Sequence, residues 1–173
     1  MDNQINVETA LKSTDSQEFN LWFSLNSRII LTAFTVAAYF AVMLLITKDY
    51  STQSLTILTA TSVALAPVLW WINRSSIVKK SKKAFESDAL AQQPQSYTIT
   101  EEGIHYESEA GSGQVKWEEI FKIGETVNLF VFFVSSNRAL IIPKRFFNSE
   151  QDKAGFKDVA RKHMFSNRVK FKS

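Results

Sequence analysis

Between Arg28 and Arg74 the chain carries one cation and one anion, Lys48 and Asp49, and is otherwise apolar or uncharged. Two blocks make up this stretch: Ile29 to Thr47 (IILTAFTVAAYFAVMLLIT) and Leu55 to Ile72 (LTILTATSVALAPVLWWI). As helices rising ~1.5 Å per residue they reach roughly 28 Å and 27 Å, close to the hydrocarbon thickness of a bilayer. Core helices of soluble proteins seldom go this long without a charge, so the sequence predicts a transmembrane hairpin over residues 29–73, closed by the polar link KDYSTQS. Pro67 predicts a kink or slight mismatch in the second span. Two spans are too few to wall a transport pathway unless several chains assemble. Neither span holds an Asp, Glu, Lys, Arg or His, which argues against ion or proton conduction.

Cation placement sets the expected orientation. Arg28 precedes the first span, while Arg74, Lys79, Lys80, Lys82 and Lys83 follow the second. Both termini are therefore expected in the cytoplasm, in a multi-pass protein of the cell membrane. Trp22, Trp70 and Trp71 fall at the same interface as aromatic anchors, with Tyr50 at the opposite one. Residues 1–28 carry acids among their bases, which is unlike a cleaved signal peptide. Ala33, Ala37 and Ala41 recur every fourth residue, as do Thr56, Ala60 and Ala64. Such stripes suit close packing inside the hairpin, or a homo-oligomer contact through Ala33, Ala37 and Ala41.

Net charge is −2 over residues 1–28, zero over 29–73, +3 over 74–93 and +2 over 94–173. The most basic stretch thus adjoins the membrane as a juxtamembrane helix over 74–93, where each cation near an anionic leaflet contributes ~1 kcal/mol. After Pro94 the pattern changes to short alternating stretches: Ser96–Thr100, Ile104–Glu109, Gln114–Trp117, Glu119–Glu125, Asn128–Ser135 and Arg138–Ile142. Glu102-Gly103, Gly111-Ser112-Gly113 and Ser136-Asn137 supply turn residues between them. Leu129 to Val134 is apolar on both faces and suits a central strand. Asn148 and Ser149 ahead of Gln151 and Asp152 predict a helix start, with Phe156, Val159 and Ala160 as its apolar face and Gly155 as a cost. The domain is expected over 94–165, followed by a mobile basic tail over 166–173 that includes Arg168, Lys170 and Lys172.

At the other end, Gln4 to Leu11 (QINVETAL) alternates like a strand, Thr14 and Gln17 form a candidate capping box, and Phe19, Trp22 and Phe23 share one helical face. These residues suggest a first strand separated from the others by the hairpin yet paired with them in space. The expected fold class is α+β: a two-helix transmembrane hairpin plus a curved antiparallel sheet of seven strands, capped by a C-terminal helix.

The runs TITEEGIHYESEAGSGQVKWEEIFKIGET and LFVFFVSSNRALIIPKRFFNSEQ resemble the YcxB-like family of bacterial membrane proteins. The motifs that carry the resemblance are Trp117 to Ile123 and Ile142 to Phe147. It implies a PH-like module attached to paired spans, and it implies no established activity. In PH-like modules a basic loop between the first two strands often holds lipid headgroups. Here that connection is the hairpin, so the usual site does not transfer. Trp117, Ile142, Pro143, Phe146 and Phe147 read as structural, with Lys144 and Arg145 at the rim of a possible groove beside the capping helix.

Catalytic constellations are missing. There is no cysteine, no Gly-rich phosphate loop and no metal-ligand spacing, and the two histidines, His105 and His163, lie far apart in sequence. No enzyme activity, cofactor or metal is expected. Acids nearly balance bases in the sheet domain, so no nucleic-acid partner is expected either. The function expected is presentation of a cytoplasmic interaction module to a membrane or cytoplasmic protein. The alternative is recognition of anionic membrane lipid through Arg74, Lys79, Lys80, Lys82 and Lys83, with Arg145 and the tail.

Overall fold

A computed structural model describes residues 4–136 and 138–171. Its contacts divide the chain into two units, Met1–Phe19 with Lys82–Ser173, and Asn20–Ser81. Asn137 of the expected turn and Lys172 of the tail lie outside the described residues.

The first unit contains two four-stranded sheets. In one, β1 (Ile5–Thr9), β2 (Gln95–Ile99), β3 (Gly103–Ser108) and β4 (Gly111–Lys116) lie in chain order and pair antiparallel. β1 thus joins a strand some 90 residues away, with Val7 opposite Tyr97 and Ile5 opposite Ile99. Alternation explains why it docks: Val7 and Thr9 point inward and are buried, while Asn6 and Glu8 are exposed. Gly103 is required where β3 begins. Its φ is +157°, and a Cβ there would lie 2.3 Å from the Val115 carbonyl oxygen.

The second sheet has the order β7-β6-β5-β8, with β5 (Lys122–Glu125), β6 (Leu129–Phe133), β7 (Ala139–Pro143) and β8 (Val169–Lys170). All five residues of β6 are buried, as a central strand demands. Phe130 and Phe132 face Phe156 at 4.7 and 5.3 Å between ring centroids, and Phe133 meets Phe19 at 6.2 Å. Three expectations change here. The strands form two sheets rather than one. The segment after β4 turns through a 3₁₀ turn at Trp117–Glu119, so β5 starts at Lys122. The described part of the tail packs on the core: Val169 pairs parallel with Ile123, and the Phe171 ring lies 5.8 Å from that of Phe156.

Helix α5 (Glu150–His163) begins at Ser149, whose hydroxyl accepts from the Asp152 N–H at 3.0 Å. Its buried face of Phe156, Val159 and Ala160 closes one core with Val7, Tyr97, Ile99, Ile104, Trp117, Ile120, Ile123 and Ile142. Gly155 lies within that helix, and a Cβ there would meet only Ile5 Cδ1, at an ordinary 3.6 Å. Gly155→Ala is therefore expected to stabilise the protein by roughly 0.5–1 kcal/mol, readable as a raised melting temperature.

Helix α1 (Ser13–Phe23) starts two residues earlier than the Thr14–Gln17 capping box predicts. Asp15, not Gln17, reaches back to accept the Lys12 N–H at 2.8 Å.

In the second unit, α2 (Leu25–Thr47) and α3 (Thr52–Ser87) are long and apolar enough to cross a membrane. Only 6% of each apolar window is buried, which is unlike a core helix. Thr35, Thr56, Thr59 and Thr61 return their hydroxyls to carbonyls four residues back, so these four stay satisfied within an apolar helix. The link turns at Lys48 (φ 50°), whose N–H donates to the Leu44 carbonyl. Helix α3 runs through Pro67 to 36 residues, roughly 54 Å, and takes in most of the expected juxtamembrane segment. Asp88 then caps the short α4 (Ala89–Gln92). The alanine stripes do not pack inside the hairpin: Ala33, Ala37, Ala41, Ala60 and Ala64 are exposed, and the buried positions are Arg28 and Thr32 on α2 and Leu58, Ser62 and Ser81 on α3.

Candidate interaction surface

The two motifs of the resemblance prove to be framework. Trp117 is buried, donates its indole N–H to the Thr100 carbonyl at 3.0 Å and stacks on His163 at 6.2 Å. His163 in turn hydrogen-bonds Glu101, whose carboxyl is held below its ordinary value by Lys162 and His163. Ile120, Ile123, Ile142 and Phe147 are buried, and Pro143 ends β7 opposite Leu129.

Lys144 and Arg145, expected at a groove rim, are engaged inside the unit. Lys144 Nζ lies 2.5 Å from Glu125 Oε1 and donates to the Thr126 carbonyl at 3.0 Å. Arg145 grips Asp15 with both arms of its fork, at 2.6 and 2.7 Å, and adds the Ala10 carbonyl at 3.3 Å. That pairing raises the Arg145 pKa. One helical turn on, Glu18 accepts from the Thr126 hydroxyl at 2.5 Å and from the Asn128 N–H and side-chain amide at 2.9 Å each. The segment around α1 is thus latched onto the β5–β6 and β7 ends by two carboxylates. Asp15→Ala is expected to cost about 1–3 kcal/mol in denaturant titration, because a partly exposed guanidinium loses its bidentate partner.

The second latch gives a pH dependence. Burial alone would raise the Glu18 carboxyl, but the hydrogen bonds from Thr126 and Asn128 outweigh it and hold the pKa below the ordinary 4.5. A depressed carboxyl stabilises the fold fully above its unfolded value and loses that contribution as pH falls through its folded one. Melting temperature measured downward from pH 5 is therefore expected to fall more steeply in the native chain than in Glu18→Gln.

Lys144 and Arg145 line a small recess of about 190 Å³ with Asp15 and Glu18, and a wider cleft of about 490 Å³ is lined by Tyr106, Gln114, Val115, Glu119, Val134, Ser135, Arg138 and Leu140. Tyr106, Val115 and Leu140 are half-buried extensions of the core. Tyr106 can lie across β4 because position 113 is glycine; a Cβ there would come within 2.5 Å of its hydroxyl. Beside this cleft runs β4, paired to β3 on one side and to no strand on the other among the described residues. Alternate residues of an antiparallel edge point their N–H and C=O outward, so β4 offers a row of unpaired backbone groups. The Arg138 guanidinium makes no ion pair among the described residues, although its backbone closes the turn with Val134 and Ser135. Sequence reading missed this surface, because a strand's edge position follows from sheet order rather than from composition.

The basic residues expected at the membrane face fall on α3. Arg74, Lys79, Lys80, Lys82 and Lys83 are exposed, with Lys82 3.7 Å from Glu86. Trp71 is exposed, and Trp70 carries the Arg28 guanidinium on its ring at 4.6 Å. No group of three or more metal-ligating side chains occurs among the described residues.

Comparison with known proteins places the sandwich rather than its task. The YcxB-like protein family matches residues 99–160, from the end of β2 into α5. An uncharacterized protein, YcxB, from Bacillus subtilis (strain 168) is 31% identical over 93 residues, which is 54% of this chain and 50% of that protein. The chain thus spans about half the length of the curated relative it matches. No solved structure matches. Over residues 99–160, which run from the end of β2 through the later strands into the capping helix, the chain is similar to the YcxB-like family.

Proposed function

We propose that this is a multi-pass protein of the cytoplasmic membrane, with both termini inside, that presents a PH-like module to a protein partner without catalysing a reaction. The cations flanking the two apolar helices support the orientation. Four strands followed by three, with a C-terminal helix against them, support the PH-like reading. The observation that carries the function is the unpaired β4 edge beside the Tyr106–Leu140 cleft. An extended partner segment adds to such an edge by main-chain hydrogen bonds and places alternate side chains in the cleft. The unpaired Arg138 favours an acidic residue in that segment.

Photo-crosslinking in intact membranes tests this reading. A photoreactive residue at Gln114 is expected to capture a protein, one at Ser96 on the central strand β2 is not, and Arg138→Glu is expected to weaken capture at least about tenfold, ~1.4 kcal/mol. Equal capture from both positions, or none from Gln114, contradicts the proposal. Exposed Lys79, Lys80 and Lys83 favour a second reading, attraction to anionic lipid, in which Arg145 has no part because Asp15 holds it. That reading requires vesicle binding that weakens strongly with salt.

A further inference from the structure

Arg28 is the most confined cation of the second unit, 6% exposed at the start of the first apolar helix. One nitrogen, Nη2, donates to the Leu21 carbonyl at 2.7 Å, and Cζ lies over the Trp70 ring, 4.6 Å from its centroid. Its Nε and Nη1 have no acceptor and are closed to water. A guanidinium does not shed its proton at any physiological pH, so burial cannot be relieved by neutralisation. No carboxylate pairs with it among the described residues, and the charged group that acts on it is another cation, Arg74. Two unfilled donors on a buried fork, with a second cation beside them, describe half of an anion site.

From these contacts we infer that Arg28, with Arg74, binds the phosphate of an anionic phospholipid on the Trp70 platform. Nε and Nη1 open on different edges of the fork, and a phosphate oxygen takes one of these unfilled N–H groups in a charge-assisted hydrogen bond. A lipid is favoured over free phosphate because Arg28 lies at the edge of an apolar helix, flanked by Trp22 and Trp70, at the depth where headgroups and aromatic anchors meet. The exposed Arg74 adds a second positive charge toward the phosphate. The inference rests on the membrane reading above and is separable from the partner reading.

The test uses the full chain purified in an uncharged detergent. Native mass spectrometry is expected to find phospholipid retained by the native chain and lost from Arg28→Met, which keeps apolar bulk without the fork. Added phosphatidylglycerol is expected to raise the melting temperature of the native chain by several degrees and that of Arg28→Met not at all, with Arg28→Lys intermediate. Circular dichroism of each variant confirms that it is folded. Equal lipid retention and equal shifts in native chain and Arg28→Met would overturn the site. Stabilisation by inorganic phosphate equal to that by phosphatidylglycerol would overturn its assignment to lipid. Carbonate extraction of membranes separates the two levels: release of the native chain would sink the membrane reading itself, whereas retention without bound lipid would sink only the site.

Discussion

Phe156→Ala is expected to cost about 3–5 kcal/mol, the upper range for removing a buried aromatic ring. The Phe156 side chain is fully buried and is the hub of the aromatic core, with Phe130, Phe132, Phe147 and Phe171 all within 6 Å between ring centroids. It joins the capping helix to the central strand and to Phe171. Removing it leaves a cavity bounded by four rings, two on β6 and two on the segments at Phe147 and Phe171, so the site cannot collapse. Denaturant titration of the full chain in detergent is the measurement. A loss below about 1 kcal/mol would mean that α5 does not close this core.

The second large effect lies at the opposite end of the chain. Val7→Asp places a carboxylate at a position 1% exposed, opposite Tyr97 and inside the same core. Burying an unpaired charge without a hydrogen-bonding partner is among the few substitutions that exceed 4 kcal/mol. The expected result is a chain that still partitions with membranes but whose sandwich is readily cut by protease. Asn6→Asp, one residue away on the exposed face, is the control and is expected to leave digestion unchanged. Similar protection of the Val7→Asp chain would show that β1 is dispensable.

Much of this architecture is legible in the sequence, for identifiable reasons. The apolar helices announce themselves because no charge interrupts them, and β1 does so because Val7 and Thr9 alternate with Asn6 and Glu8. The double-sided burial of β6 follows from its unbroken run of Leu, Phe and Val. What sequence reading misses depends on distance along the chain. Asp15 with Arg145, and Glu18 with Thr126, are pairs more than a hundred residues apart, each made of residue types that are usually solvated. Strand β8 is two residues long, and only the geometry of β5 makes it a strand. The alanine stripes misled for a further reason: in an apolar helix every face looks alike, so spacing shows which residues share a face but not what that face meets.

The cleft beside β4 and the Arg28 donors share one property. Both are defined by something left unmet among the described residues, a strand edge without a neighbour and a cation without an anion, and neither has a motif. The residues of the family motifs are buried and engaged, which accounts for their place in the framework without assigning them a ligand.

The central claim is that a strand before the apolar hairpin completes a sheet built after it. The chain has no cysteine, so a pair introduced at Asn6 and Thr98, which face each other across β1 and β2, can form only one disulfide within a chain. Oxidation of the full-length double variant in native membranes, followed by mass spectrometry of the digested chain, measures that pairing directly. The split sheet requires an intramolecular crosslink between positions 6 and 98 at high yield, and little from a control pair at Asn6 and Gln114, two strands further away. Absence of the first crosslink, or equal yield from both pairs, would contradict it.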